Sequence, residues 1–190
     1  MSVSISKKNA QALGLDNLIF FEHDFQDQKL PITSNFDLIY SFGVIHHSPE
    51  PQLIFNNLKS WANPNTKIKI MVYYKYSTKA VALYFRFGFL RRRSFNEAVA
   101  VRSEAQKNSP FTYTYSKKSI KRALENAGLE VTGISVRHIF PYAIKEYRKN
   151  VYVPRWYWKI LPLKLIYQIG KVFGWHLLVE AKIKEIYLAE

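Results

Sequence analysis

A chain of 190 residues is long enough for one domain with its own hydrophobic core, and a hydrophobic content of 48% excludes a disordered tail. It holds 28 Lys and Arg against 14 Asp and Glu, and the net charge of +14 favours nucleic acid, anionic lipid headgroups or an anionic substrate, with a merely solvated basic surface as the alternative. There is no Cys, which excludes disulfides and thiolate metal sites and fits a reducing cytoplasm.

In chain order, the spacing predicts a helix over 4–13, with Ile5, Ala10 and Leu13 as core contacts and Gly14 as its C-terminal glycine. The first residues show no apolar stretch ahead of a cleavage site. The apolar runs 18–21, 36–42 and 68–74 predict buried strands of a parallel sheet. Leu53, Ile54, Leu58 and Trp61 place a helix over 51–62, stopped by Asn63-Pro64-Asn65. Strand, helix and strand with short connections predict a right-handed parallel crossover.

The middle of the chain reads differently. Residues 79–90 are apolar and aromatic and run into Arg91-Arg92-Arg93, a solvated charge run or a contact for phosphate. Residues 94–109 are polar, a loop or a mobile helix. A helix over 116–127 has Ser116 as N-cap and Gly128 just past its end. A strand follows over 129–137, with Val131, Ile134 and Val136 inward. Residues 140–175 are rich in aromatic and basic side chains, and a last strand covers 177–188. No apolar run reaches the roughly 20 residues of a membrane span, since Arg86 and Lys164 break the longest candidates. There is no repeat and no domain boundary. Segments 76–106 and 139–174 read as insertions within one domain over 1–190, with an α/β half over 1–75 and the rest over 76–190.

Two segments carry candidate chemistry. Phe21-Glu22-His23-Asp24-Phe25 ends the first predicted strand, and in open α/β sheets ligands sit beyond the carboxyl ends of strands. Asp24 can accept a hydrogen bond from an exocyclic amine, and Phe25 can offer its backbone N–H to a ring nitrogen. The alternative is a loop carboxylate capping the next turn. The second segment is Phe36-Asp37-Leu38-Ile39-Tyr40-Ser41-Phe42-Gly43-Val44-Ile45-His46-His47. Gly43 permits a tight turn after the strand. His46 or His47 could act as a base or bond the loop backbone. No metal is expected, because neighbouring side chains rarely converge and H-E-x-x-H spacing is absent.

These segments, with Ser48-Pro49 after the second, closely resemble the third and fourth strand motifs of class I S-adenosylmethionine-dependent methyltransferases. Met71-Val72-Tyr73-Tyr74-Lys75-Tyr76-Ser77 resembles the end of the fifth strand. Tyr113-Thr114-Tyr115-Ser116-Lys117-Lys118, His138-Ile139-Phe140-Pro141-Tyr142 and Phe173-Gly174-Trp175-His176-Leu177-Leu178 resemble the C-terminal region of a bacterial subgroup. The resemblance covers nearly the whole chain. It implies a Rossmann-like α/β sheet, S-adenosylmethionine as cofactor, and methyl transfer by in-line displacement, driven mostly by proximity and orientation. By position it implies Asp24 and Phe25 at the adenine, and Ser41 and Phe42 under the methionine moiety. It further implies His46 or His47 at the reacting methyl as positioning group or base, and Tyr73 and Tyr74 facing the acceptor.

The family's glycine-rich loop after the first strand and the acidic residue after the second have no counterpart among the seven glycines and surrounding residues. The sheet is therefore expected to lack its first two strands, leaving the strand 36–42 with an unpaired edge. Weak cofactor binding and a complementing N-terminal half follow as expectations. A small-molecule or lipid-like acceptor fits this reading, and the aromatic, basic stretch reads as an aromatic core packing the insertion against the sheet, a lid over an acceptor pocket or a peripheral membrane contact. Two alternatives are a non-catalytic remnant or subunit, and a basic protein that binds nucleic acid or a membrane surface. No recognisable nucleic-acid module supports the former part of the second alternative.

Overall fold

In Lys67–Tyr74, here β2, every other residue points to the same face of the sheet. Ile68, Ile70 and Val72 share one face and are buried. The opposite face carries Lys67 and Lys69 and then Met71 and Tyr73, so it passes from solvent to core along the strand. That pattern makes β2 the centre of the sheet. The computed structural model describes residues 2–32, 36–100, 111–139, 141–143, 146 and 151–184.

β1 (Leu38–Phe42) runs parallel to β2, from Leu38 beside Lys67 to Phe42 beside Met71. β3 (Thr114–Tyr115) pairs with the last two residues of β2, also in parallel. On the other side β5 (His176–Ile183) is antiparallel to β2, and β4 (Leu129–Arg137) is antiparallel to β5. The order is β1-β2-β5-β4, a mixed sheet. Where its face meets solvent, the register aligns Lys69 with Glu180 at 3.1 Å and Lys182 with Glu130 at 3.5 Å.

One face is covered by α2 (Pro51–Trp61) and α5 (Lys117–Asn126). α2 begins on a proline, which lacks only an N–H that the first turn leaves unpaired. It buries Ile54, Phe55 and Leu58. α5 buries Ile120 and Leu124 and ends at Gly128, whose φ of +78° suits glycine. The other face carries α3 (Thr78–Phe87) and α4 (Phe95–Ala100), whose Ala80, Leu83 and Val99 pack with Met71, Tyr73 and Trp175. α1 (Ser2–Ala12) precedes the sheet, and α6 (Trp156–Ile160) and α7 (Leu163–Phe173) precede β5.

Several expectations need correction. Residues 18–21 form no strand, and Ile19 is 81% exposed. An apolar run becomes a strand only beside a ladder partner, and no described strand lies alongside it. α1 and Gly14 form as expected, yet only Ala10 is buried, while Ile5 and Leu13 are exposed. Residues 79–90 are largely the helix α3, followed by a 3-10 turn over Phe89–Arg91. Residues 94–109 contain α4, with 101–110 outside the described residues. The last strand stops at Ile183, and 185–190 lie outside the described residues, as do Phe140 and Tyr147. Among the described residues no helix is long and apolar enough to cross a membrane.

Candidate functional site

Two features border β1, one along the strand and one after its carboxyl end. The first is an apolar hollow of about 270 Å³ on the outer side of β1, with Phe21, Phe25, Tyr40, Ser41, Phe42 and Trp61 among its walls. α2 fastens the loop that forms its far wall. Buried Asn57 donates from Nδ2 to the carbonyls of Phe25 and Gln26, both at 2.9 Å, and Trp61 Nε1 donates to the Gln28 carbonyl at 2.6 Å. Ser41 is one of its lining residues, and its hydroxyl is buried without a hydrogen-bond partner among the described residues. Ligand sites combine apolar walls with a few placed polar groups in this way.

The second feature is an aromatic column. Gly43 turns the chain at φ +78°, and a single 3-10 turn, Ile45–His47, follows. His46 lies fully buried with its ring 4.2 Å from His47 and 3.9 Å from Tyr73. Tyr73 stacks on Trp175 at 4.0 Å, and the Lys79 ammonium sits 4.6 Å from the Trp175 ring. Among the described residues neither His46 ring nitrogen has a hydrogen-bond partner, and nor does Trp175 Nε1. Burial, with smaller contributions from His47 and His176, lowers the His46 pKa to about 2, so the ring is neutral. His47 is different. Its Nδ1 lies 3.2 Å from the Phe111 carbonyl and 3.3 Å from Thr112 Oγ1. In the tautomer that donates from Nδ1 to the Phe111 carbonyl, Nε2 is the nitrogen that carries the lone pair.

The structure thus gathers Phe25, Ser41 and Phe42 around the hollow, and His46, His47 and Tyr73 in the column. Phe42 lies edge-on to His176 at 5.4 Å, and His176, beside Tyr73 in the β2–β5 register, stacks on His138 at 4.6 Å. Asp24 stands apart. It is exposed, is not among the hollow's walls, and accepts from the Gln26 N–H at 2.9 Å, the local turn-capping alternative. Tyr73 and Tyr74 do not face one acceptor together, because consecutive strand residues point to opposite faces. Tyr74 packs on the core under α2 and α5, where burial, and then Tyr76, raise its pKa.

Sequence reasoning gave no role to Asn57, Trp61, Trp175 or His176. Phe173-Gly174-Trp175-His176 was the available signal, since a Cβ on Gly174 would overlap the carbonyl oxygens of Arg137 and Gly170. Only glycine lets the chain pass there and set Trp175 over Tyr73.

A family model described as a methyltransferase domain matches residues 2–134. No curated protein matches the chain at a significant level. Among solved structures the fold is similar to a Bacillus halodurans C-125 protein described as a methyltransferase, with TM-score 0.59 and 13% identity over 96% of this chain and 79% of that one. It is similar to a methyltransferase-described protein solved in complex with the Trm112 methyltransferase activator of Haloferax volcanii, at TM-score 0.55 and 18% identity over 94% and 67%. It is also similar to a SAM-dependent methyltransferase of Aquifex aeolicus, at TM-score 0.51 and 18% identity over 95% and 63%. The chain spans 63% to 79% of the length of these three proteins.

Proposed function

This chain belongs to the methyltransferase-domain family, and from that premise we propose that it carries part of a site for S-adenosylmethionine-dependent methyl transfer. The observation that carries the proposal is the apolar hollow beside β1, with Phe21, Phe25, Phe42 and Trp61 among its walls. These aromatic walls fit an adenine face or the methyl-bearing sulfonium. When bound, S-adenosylmethionine supplies an electrophilic methyl group. The chain's own residues then have three tasks. Phe25 and Phe42 hold the apolar parts of the cofactor and keep water away. Neutral His46, fixed between His47 and Tyr73, sets the position of the turn. His47 Nε2 takes the proton that an O–H or N–H acceptor releases as it is methylated. This assignment moves the base role from the pair of histidines to His47, because a ring with a pKa near 2 is a poor proton acceptor.

The hollow is lined by every residue of β1, and that strand has no strand neighbour on its outer edge among the described residues. We propose that a further strand along that edge, from an N-terminal half of the protein or a complementing partner, closes the full site. Titration calorimetry of the 190-residue chain with S-adenosylmethionine checks this. A dissociation constant on the order of 1 mM, weakened further by Phe42→Ala, supports a half-built site. Micromolar binding overturns the need for another strand but keeps the cofactor assignment. Absence of any binding that Phe42→Ala or Ser41→Ala can alter removes the hollow as the cofactor site.

A further inference from the structure

Residues 151–173 contain Arg155, Lys159, Lys164 and Lys171 and no Asp or Glu. They fold into α6 and α7, joined by Leu161 and Pro162. α7 packs against β4, with buried Gly170 against Ile139 just past the end of that strand. The corner between the two helices turns outward. There Trp156 is 72%, Ile160 71% and Leu163 85% exposed. Trp156 and Ile160 are four residues apart on one helix and so share a face, and Leu163 opens the next helix three residues later. Lys159 and Lys164 flank this apolar tip and are exposed, while the Lys171 ammonium lies 4.6 Å from the Tyr167 ring farther along α7.

We propose that this helical corner docks the protein onto an anionic lipid bilayer surface. Trp156, Ile160 and Leu163 enter the boundary between headgroups and acyl chains, and Lys159 and Lys164 beside them meet the lipid phosphates. Lysine stems long enough to lie along apolar surface let the ammonium groups stay at headgroup level. The charge argues for an anionic partner, since nothing acidic interrupts the segment. The apolar tip argues for lipid over nucleic acid. A strand-binding surface presents aromatic rings for bases to stack on, whereas two of the three tip residues are aliphatic. The corner is also tied to the candidate site, because α7 ends at Phe173 and leads through Gly174 to Trp175 on Tyr73.

Flotation of the full chain with vesicles tests the proposal. Binding is expected with phosphatidylcholine–phosphatidylglycerol vesicles and to be at least about tenfold weaker with phosphatidylcholine alone. The double variant Ile160→Asp/Leu163→Asp should lose vesicle binding while its circular dichroism stays that of the parent, as the replaced side chains are exposed. Lys159→Glu/Lys164→Glu should remove the preference for anionic vesicles. Vesicles should shift the tryptophan emission to the blue, and Trp156→Phe should abolish most of that shift. No flotation of the parent, or flotation unchanged by the two aspartates, overturns the proposal. So does salt-sensitive binding of a single-stranded oligonucleotide that the aspartates leave intact, in a chain that ignores vesicles.

Discussion

A single 3-10 turn at Ile45–His47 sets successive side chains about 120° apart, so two adjacent histidines enter different surroundings. His46 goes inward and loses every partner for its nitrogens, and His47 stays at the rim on the Phe111 carbonyl. The two have separate consequences. The folded His46 pKa lies near 2, far below the ordinary value of 6.5 that the unfolded chain would show. Below pH 6.5 the unfolded chain therefore binds a proton that the folded chain refuses. The contribution is complete above pH 6.5 and is lost as pH falls, at up to about 1.4 kcal/mol per pH unit. Urea unfolding of the parent and His46→Phe at pH 7 and pH 5 measures this. The variant should lose less stability over that interval, and equal losses would show that His46 is solvated. For methyl transfer the order reverses. Once an acceptor and a complete site are in hand, His47→Ala should lower kcat by about 100-fold while leaving cofactor affinity unchanged. A fall in affinity with kcat intact would make His47 a binding residue instead.

At the scale of elements, two junctions bear most on the sheet and its site. α5 starts with reciprocal bonds, the Ser116 hydroxyl accepting from the Ser119 N–H at 3.0 Å and the Ser119 hydroxyl from the Ser116 N–H at 2.8 Å. Ser116→Ala should cost about 1 kcal/mol and lower Tm by about 2–4 °C in a chain of this length. An unchanged Tm would mean that water replaces the cap. Gly174 is the stricter junction. Gly174→Ala forces a methyl group into two carbonyl oxygens where α7 hands over to β5. A loss of about 1–3 kcal/mol is expected, together with a changed near-ultraviolet dichroism from displaced Trp175. The sequence showed Ser116 and Gly128 plainly, because capping is local chemistry. It also showed β1, β2, β4 and β5 as strands, but the expectation of burial fails at β1, where Leu38, Tyr40 and Phe42 are exposed because no strand or helix covers that face among the described residues. The run 18–21 has the same composition and no neighbour, and a ladder partner is not written in a local pattern. α7 was hidden for the opposite reason: its outer face mixes Leu163, Tyr167 and Val172 with lysines, which blurs the polar side of a helical period. The column of His46, Tyr73 and Trp175 joins residues more than a hundred positions apart, so only the fold could assemble it.

For the whole molecule the decisive feature is β1. It has no strand neighbour on its outer edge among the described residues, and Leu38, Tyr40 and Phe42 are exposed on one face. An unpaired edge beside apolar side chains is a template for a further strand. The net charge of +14 opposes contact between two copies, and that repulsion fades once the screening length falls to about 10 Å at 0.1 M salt. The 190-residue chain should therefore self-associate more as salt rises, as seen by multi-angle light scattering. Leu38→Lys/Tyr40→Lys should hold it monomeric at the same salt with unchanged far-ultraviolet dichroism. Association that ignores salt, or persists in the double variant, would place the contact elsewhere. The same strand lines the hollow. A strand that completes the cofactor site must therefore compete with self-association, and adding such a strand should dissolve the oligomer and tighten S-adenosylmethionine binding together. If one occurs without the other, the edge and the hollow are separate features, and the site is closed by something other than a strand on β1.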